Sequence, residues 1–219
     1  MSKRVLLYGD SNTYGYRWGD DFRFPKGERW PDIAQELVGD KFELINEGMN
    51  GRTATCVGNI PPFVDGPDGI EDCVLSNMPL DLICVMLGTN DLQKEFCLSA
   101  VKIAHNCGQI LIKAKEVMNK VKPENHCKYL LIAPIEMTKD VANSVWVDDY
   151  LGDVTIGITK EFASCYAKVA KEQGFLFFDA APHGKACIED GMHLSEESQR
   201  TLGQAFGEYL LDLEANGQI

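Results

Sequence analysis

Five short runs of the chain are apolar almost without interruption: Arg4–Tyr8, Phe42–Asn46, Leu80–Leu87, Tyr129–Ala133 and Phe175–Phe178. Runs of this length, without the alternation of a one-sided strand, predict strands buried on both faces of a parallel sheet. Between them the apolar positions take up a helical period. The clearest stripe, Ile103, Ala104, Cys107, Ile110, Leu111, Ala114, Val117, Met118 and Val121, predicts a helix over Ser99–Val121, ended by Pro123. A second helix is predicted over Thr159–Gln173, stopped by Gly174, and a third from Ser195, an N-cap residue followed by Glu196 and Glu197. Strands alternating with helices imply an α/β sandwich with right-handed crossovers. No repeat or linker interrupts the pattern, so residues 1–219 are expected to form one domain.

In open sheets of this kind, ligands bind beyond the carboxyl ends of the strands. The segments of interest are therefore Gly9–Arg29, Glu47–Gly69, Gly88–Leu98, Pro134–Gly157 and Asp179–Leu194. Several are longer than a connection requires, which usually signals function.

Charge and cysteine usage narrow the partners. The formal net charge is -12, from 33 acidic and 21 basic residues, a field that repels nucleic acid and anionic membranes. The apolar stretch after Met1-Ser2-Lys3-Arg4 is too short for a signal peptide, and nothing approaches a membrane span, so a cytoplasmic protein is expected. In that setting the eight cysteines are expected to be reduced, and the absence of a Cys-x-x-Cys pair argues against a zinc knuckle or thioredoxin-type site.

Chemistry enters with the strand-end segments. The first opens Gly9-Asp10-Ser11-Asn12-Thr13, which puts a serine at the mouth of the crevice. Taken alone, Asp10 or Ser11 is a helix cap, or Ser11, Thr13 and Gly15 form the phosphate loop of a flavodoxin-like flavin protein. The last contains Asp190-Gly191-Met192-His193. A histidine is a general base near neutral pH, and a carboxylate three residues earlier is placed to fix its tautomer. Two further segments supply oxyanion donors: Gly51 offers a backbone N–H and Asn90 of Gly88-Thr89-Asn90-Asp91 a side-chain amide. Singly, Gly51 is a turn residue and Asn90 or Asp91 a helix cap. Together, four successive strand-end segments supply a nucleophile, a base with its orienter, and donors.

This ordered set resembles the four sequence blocks of the SGNH hydrolases, the GDSL esterase/lipase family, over nearly the whole chain, from about Val5 to about Leu202. The resemblance implies a flavodoxin-like three-layer α/β/α sandwich with about five parallel strands. It implies Ser11 as nucleophile, Asp190 and His193 as the rest of the triad, and Ser11, Gly51 and Asn90 as the oxyanion hole. Asp10 is not the triad acid on this reading; its expected task is to hydrogen-bond backbone in the strand-end turn. Gly9–Tyr16, Arg29-Trp30-Pro31, Glu47–Thr53 and Leu87–Leu92 look most like the arylesterase and acyltransferase branch, whose members favour short acyl groups and often form homo-oligomers. Asn12 stands where the family name expects leucine, and segments 60–69 and 138–152 match nothing in the pattern. An α/β-hydrolase is disfavoured because Thr13 occupies the second glycine of Gly-x-Ser-x-Gly.

Aromatic residues Tyr14, Tyr16, Trp18, Trp30, Phe63, Phe96 and Trp146 are expected at the rim, with Tyr14, Trp18, Phe63, Phe96 and Trp146 as candidate substrate contacts. The expected activity is cleavage of a small ester without metal or organic cofactor. A carbohydrate O-acetylesterase, a flavin-binding redox protein and a non-catalytic binding domain stand as alternatives.

Overall fold

All five apolar runs become strands of one parallel sheet in the computed structural model, which describes residues 2–19, 23–56 and 62–219. The elements in chain order are β1 (Lys3–Gly9), α1 (Ser11–Tyr14), α2 (Trp30–Val38), β2 (Phe42–Gly48), β3 (Arg52–Thr53), β4 (Val64–Asp65), α3 (Gly66–Asn77), β5 (Leu82–Met86), α4 (Ala100–Val121), β6 (Lys128–Ala133), α5 (Asp153–Lys160), α6 (Phe162–Gln173), β7 (Leu176–Asp179) and α7 (Glu196–Ala215). The large sheet runs β2-β1-β5-β6-β7, and β3 pairs with β4 in a separate two-residue ladder.

The unbroken apolar runs are explained by a division of side chains between two cores. Leu6 and Tyr8 of β1, Ile83 and Val85 of β5, and Tyr129, Leu131 and Ala133 of β6 pack with α3, α4 and α6. Their neighbours Val5, Leu7, Leu82, Cys84, Met86, Leu130 and Ile132 pack with α2 and α7. The result is the expected α/β/α sandwich, its sheet covered on both faces. The sheet grows from β1 to β2 on one side and from β1 to β5 on the other. The segments after β1, β2 and β5 therefore meet at the topological switch point.

The structure differs from the sequence pattern in its helices. Gly66–Asn77 buries only Ile70 and Val74 besides its first glycine, with Gly66, Pro67 and Gly69 in its first turn, so its helical period is faint. α2 buries Trp30, Ala34 and Val38 at four-residue spacing. The segment predicted as one helix from Thr159 is two: α5 begins at Asp153 and ends at Lys160, where Glu161 N–H bonds back to the Ile158 carbonyl at 3.1 Å. Ser99 and Ser195 are N-caps as predicted, their hydroxyls accepting from Lys102 N–H and Ser198 N–H. The eight cysteines form no disulfide. No helix among the described residues is long and apolar enough to cross a membrane.

Candidate active site

The turn after β1 and the segment before α7 put Ser11 and His193 in direct contact, 182 residues apart in sequence. Ser11 Oγ lies 2.8 Å from His193 Nε2, and His193 Nδ1 lies 2.8 Å from Asp190 Oδ2. An ionised carboxylate only accepts, so the ring proton belongs on Nδ1 and Nε2 is left to accept from the Ser11 hydroxyl. Asp190 Oδ1 also accepts from the N–H groups of Met192 and His193, both at 2.9 Å, so one carboxylate orients ring and backbone together. Gly191 makes that turn possible: its φ is +68°, and a Cβ there would sit 2.2 Å from Val141 N. Ser11, Asp190 and His193 are 6%, 0% and 6% exposed, so Asp190 is closed off from solvent while the other two keep a small exposed surface.

Three candidate donors belong to residues that line the same cavity as the hydroxyl. Among the described residues, neither Ser11 N–H nor Gly51 N–H has an acceptor in the protein. Buried or half-buried backbone donors are seldom left so, and both residues line the same cavity. Gly51 has φ +74°, and a Cβ there would meet the Pro62 carbonyl at 2.3 Å. Asn90 Nδ2 donates to the Arg52 carbonyl at 3.0 Å, which fixes the amide and leaves its second N–H for a ligand.

The segments are locked to one another by residues to which sequence reasoning gave lesser roles. Asn12 Oδ1 accepts from Leu194 N–H at 2.9 Å and its Nδ2 donates to the Met192 carbonyl at 3.2 Å, so it grips the chain on both sides of His193. Asp91, fully buried, is not a helix cap; it accepts from Ala54 N–H, Thr55 N–H and the Thr55 hydroxyl at 2.6–2.8 Å. Arg52 donates to the Gly9 and Glu47 carbonyls and lies 3.8 Å over the Tyr8 ring, joining the ends of β1 and β2. Asp10 Oδ1 accepts from Asn12 N–H at 2.9 Å, capping α1.

Electrostatics separate the buried acids Asp10, Asp91 and Asp190. Burial pushes Asp10 up to about 6, against the Asn12 hydrogen bond and the nearby His193. Burial also raises Asp91, against its three hydrogen bonds from Ala54 and Thr55. Burial would raise Asp190 too, but the His193 ring and the Met192 and His193 N–H groups outweigh it and hold the carboxyl below its ordinary range. Asp190 is thus the acid suited to remain ionised beside an imidazole.

The cavity around Ser11 is about 390 Å³ and is lined also by Tyr16, Asn50, Pro62, Phe63, Gln93, Glu95, Trp146, Asp149, Tyr150 and Met192. Tyr16 and Trp146 flank the His193 ring, with centroids at 4.3 and 5.5 Å. Of the aromatic residues expected at the rim, Tyr16, Phe63 and Trp146 line the cavity. Trp18 and Phe96 stand behind them, edge-on to Trp146 and Phe63, both at 5.4 Å. Tyr14 does not reach it, because the Arg23 guanidinium covers its ring at 3.9 Å. Trp30 is 1% exposed in the core against Phe206, where the first turn of α2 packs on α7. Of the two segments that matched no pattern, 62–69 contributes Pro62 and Phe63, and 138–152 contributes Trp146, Asp149 and Tyr150; Ile60 and Pro61 lie outside the described residues. A larger cavity of about 560 Å³ lies against the start of α7 and contains none of Ser11, Asn90 or His193. Cys56, Asp65 and Asp68 bring three potential metal-ligand atoms within 4.8 Å of one another, but none of the reactive groups belongs to that cluster.

The GDSL-like lipase/acylhydrolase family model matches residues 7–201. The M. smegmatis aryl esterase has 28% identity and a TM-score of 0.87, with 97% of this chain and 100% of that one covered. A carbohydrate acetylesterase from Sinorhizobium meliloti has 26% identity and a TM-score of 0.85, with the same coverage. A search of curated protein sequences returns no relative.

Proposed function

The chain belongs to the GDSL-like lipase/acylhydrolase family and is a carboxylic ester hydrolase; from that premise we propose that it cleaves small short-acyl or aryl esters through an acyl-enzyme on Ser11. The observation that carries the reading is the continuous relay of Ser11, His193 and Asp190, with two contacts of 2.8 Å.

In the proposed reaction His193 Nε2 takes the Ser11 proton as Oγ bonds to the ester carbonyl carbon. The carbonyl oxygen gains the negative charge and is met by the N–H groups of Ser11, Gly51 and Asn90. The C–O bond to the alcohol breaks, and the imidazolium returns the proton to the departing oxygen. Water then gives a proton to His193 and adds to the acyl carbon, and collapse frees the acid and restores the Ser11 hydroxyl. An alcohol in place of that water would give acyl transfer.

The cavity favours small esters: about 390 Å³ accommodates a short acyl group and an aryl or similar alcohol, against the Tyr16, Phe63 and Trp146 faces. Carbohydrate O-acetyl esters are a second reading, favoured by the polar Asn50, Gln93, Glu95 and Asp149 of the same lining. Fluorophosphonate labelling with peptide mapping tests the nucleophile, and p-nitrophenyl esters of increasing acyl length, run beside acetylated sugars, test the substrate. Label on Ser11 and highest turnover with the shortest aryl esters are expected. Failure of Ser11 to label in protein that cleaves these esters would refute the nucleophile, and a rate rising with chain length would refute the short-acyl reading.

A further inference from the structure

The esterase reading leaves two acidic residues in the cavity without a task. Glu95, from the segment after β5, and Asp149, from the segment after β6, line it together with Ser11 and His193. Neither carboxylate has an ion-pair partner among the described residues. Lys94, next to Glu95, directs its ammonium to the Asp148 carbonyl instead. The carboxylates do not stand alone: Tyr16, Phe63 and Trp146 line the same cavity. Aromatic faces with uncompensated negative charge are the surroundings that stabilise an ammonium group, through the ring quadrupole and through Coulomb attraction.

We propose that Glu95 and Asp149 form a cation-selecting subsite, so that the protein prefers esters carrying an ammonium group over their uncharged isosteres. The proposal rests on the esterase reading and adds the class of substrate. Glu95 is exposed and Asp149 half-buried, so both would act on an ammonium in the cavity through partly solvated, salt-screened surroundings. Two such charges in a partly solvated cleft give a preference on the order of tenfold. The preference is expected to shrink as added salt screens them. Anionic esters are expected to be the poorest substrates, and with the chain at -12 the long-range field acts in the same direction.

The test compares kcat/KM within two isosteric pairs, which separate the two places an ester can carry its charge. Acetylcholine against 3,3-dimethylbutyl acetate places the charge on the alcohol. The 4-nitrophenyl ester of 4-(trimethylammonio)butanoate against that of 5,5-dimethylhexanoate places it on the acyl group. A cationic preference is expected in at least one pair, and Glu95→Gln/Asp149→Asn should bring that ratio close to one. Because the readout is a ratio, general damage to the variant cancels. Asp40→Asn/Glu124→Gln, two exposed positions with the same change in net charge, should leave the ratio unaltered. Equal rates within both pairs would overturn the proposal alone. A ratio moved equally by both double variants would also overturn it, by assigning the preference to the whole-molecule field. A shift in turnover of acetylated sugars, with no change in the charge ratio, would assign the two carboxylates to hydroxyl groups and overturn it as well. No turnover of any ester, 4-nitrophenyl acetate and both cationic esters included, would overturn the esterase reading and this proposal with it.

Discussion

Asn12→Leu installs the residue that the family name expects beside the nucleophile, and it should cost both stability and rate. Asn12 makes two bonds across the cleft, accepting from Leu194 N–H and donating to the Met192 carbonyl. Met192 and Leu194 are 4% and 2% exposed, so water does not readily replace a lost partner. A buried polar group left unpaired costs about 1–3 kcal/mol, and two such groups give roughly 2–6 kcal/mol. For a chain of this size each kcal/mol shifts the midpoint by about 2–4 °C, so thermal unfolding should move down by roughly 5–15 °C.

The catalytic loss follows from the same geometry. His193 sits between the two gripped residues, so Asn12 positions the segment that carries its 2.8 Å contact to Ser11. A displacement of about 1 Å in a reacting group costs on the order of a hundredfold in rate. Asn12→Leu is therefore expected to lower kcat by about 10- to 100-fold with a smaller change in KM. Asn12→Ala leaves room for a water to bridge the orphaned groups and should fall between parent and Leu variant. Calorimetry and steady-state turnover of one p-nitrophenyl ester measure both effects. A Leu variant with an unchanged midpoint and kcat would refute the idea that Asn12 holds the histidine segment.

Ser11→Ala should leave less than about a thousandth of the turnover, with the melting midpoint close to the parent's; substantial residual turnover of the ester would rule out Ser11 as nucleophile. Asn90→Ala should lower kcat by on the order of 10²–10³, the usual loss for one oxyanion donor, and a KM-only effect would exclude that role. Asp10→Asn tests the buried carboxyl that is pushed up to about 6. Folding tightens the hold of Asp10 on its proton, so its contribution is complete below the ordinary carboxylate range and is lost as pH climbs through about 6. The variant should therefore gain stability relative to the parent between pH 4 and pH 8, by at most about 3 kcal/mol; equal differences at the two pH values by denaturant titration would contradict this.

The sheet was legible because strands buried on both faces leave no polar alternation, and five such runs stand out from the helical segments around them. The candidate reactive positions stood out because they fall in four strand-end segments and carry residue types the proposed chemistry requires. What the sequence hid depends on contacts made only after folding. α3 escapes the periodicity because glycine and proline take most of its first turn and only Ile70 and Val74 of its apolar side chains are buried. Tyr14 and Tyr16 are indistinguishable as letters two residues apart, yet one ring is covered by Arg23 and the other lies 4.3 Å from His193. Asn12 looked like a departure from the family name, since its partners at Met192 and Leu194 are some 180 residues away.

Those long-range partners divide the site into two kinds of position. Ser11 reacts in the proposed mechanism, but among the described residues its hydroxyl makes no bond to another segment except the one to His193, so its loss should remove chemistry and little structure. Asn12, Arg52 and Asp91 do no chemistry in the proposed reaction, yet each joins segments that end different strands of the sheet. The distance from Ser11 to His193 is consequently a property of the whole switch-point region, fixed by bonds running among the segments after β1, β2, β5 and β7. Replacing a reacting group should separate activity from stability, whereas replacing one of these three should lower the two together. Parallel measurement of both quantities across the two sets therefore distinguishes a site preorganised by its scaffold from one assembled only when substrate binds.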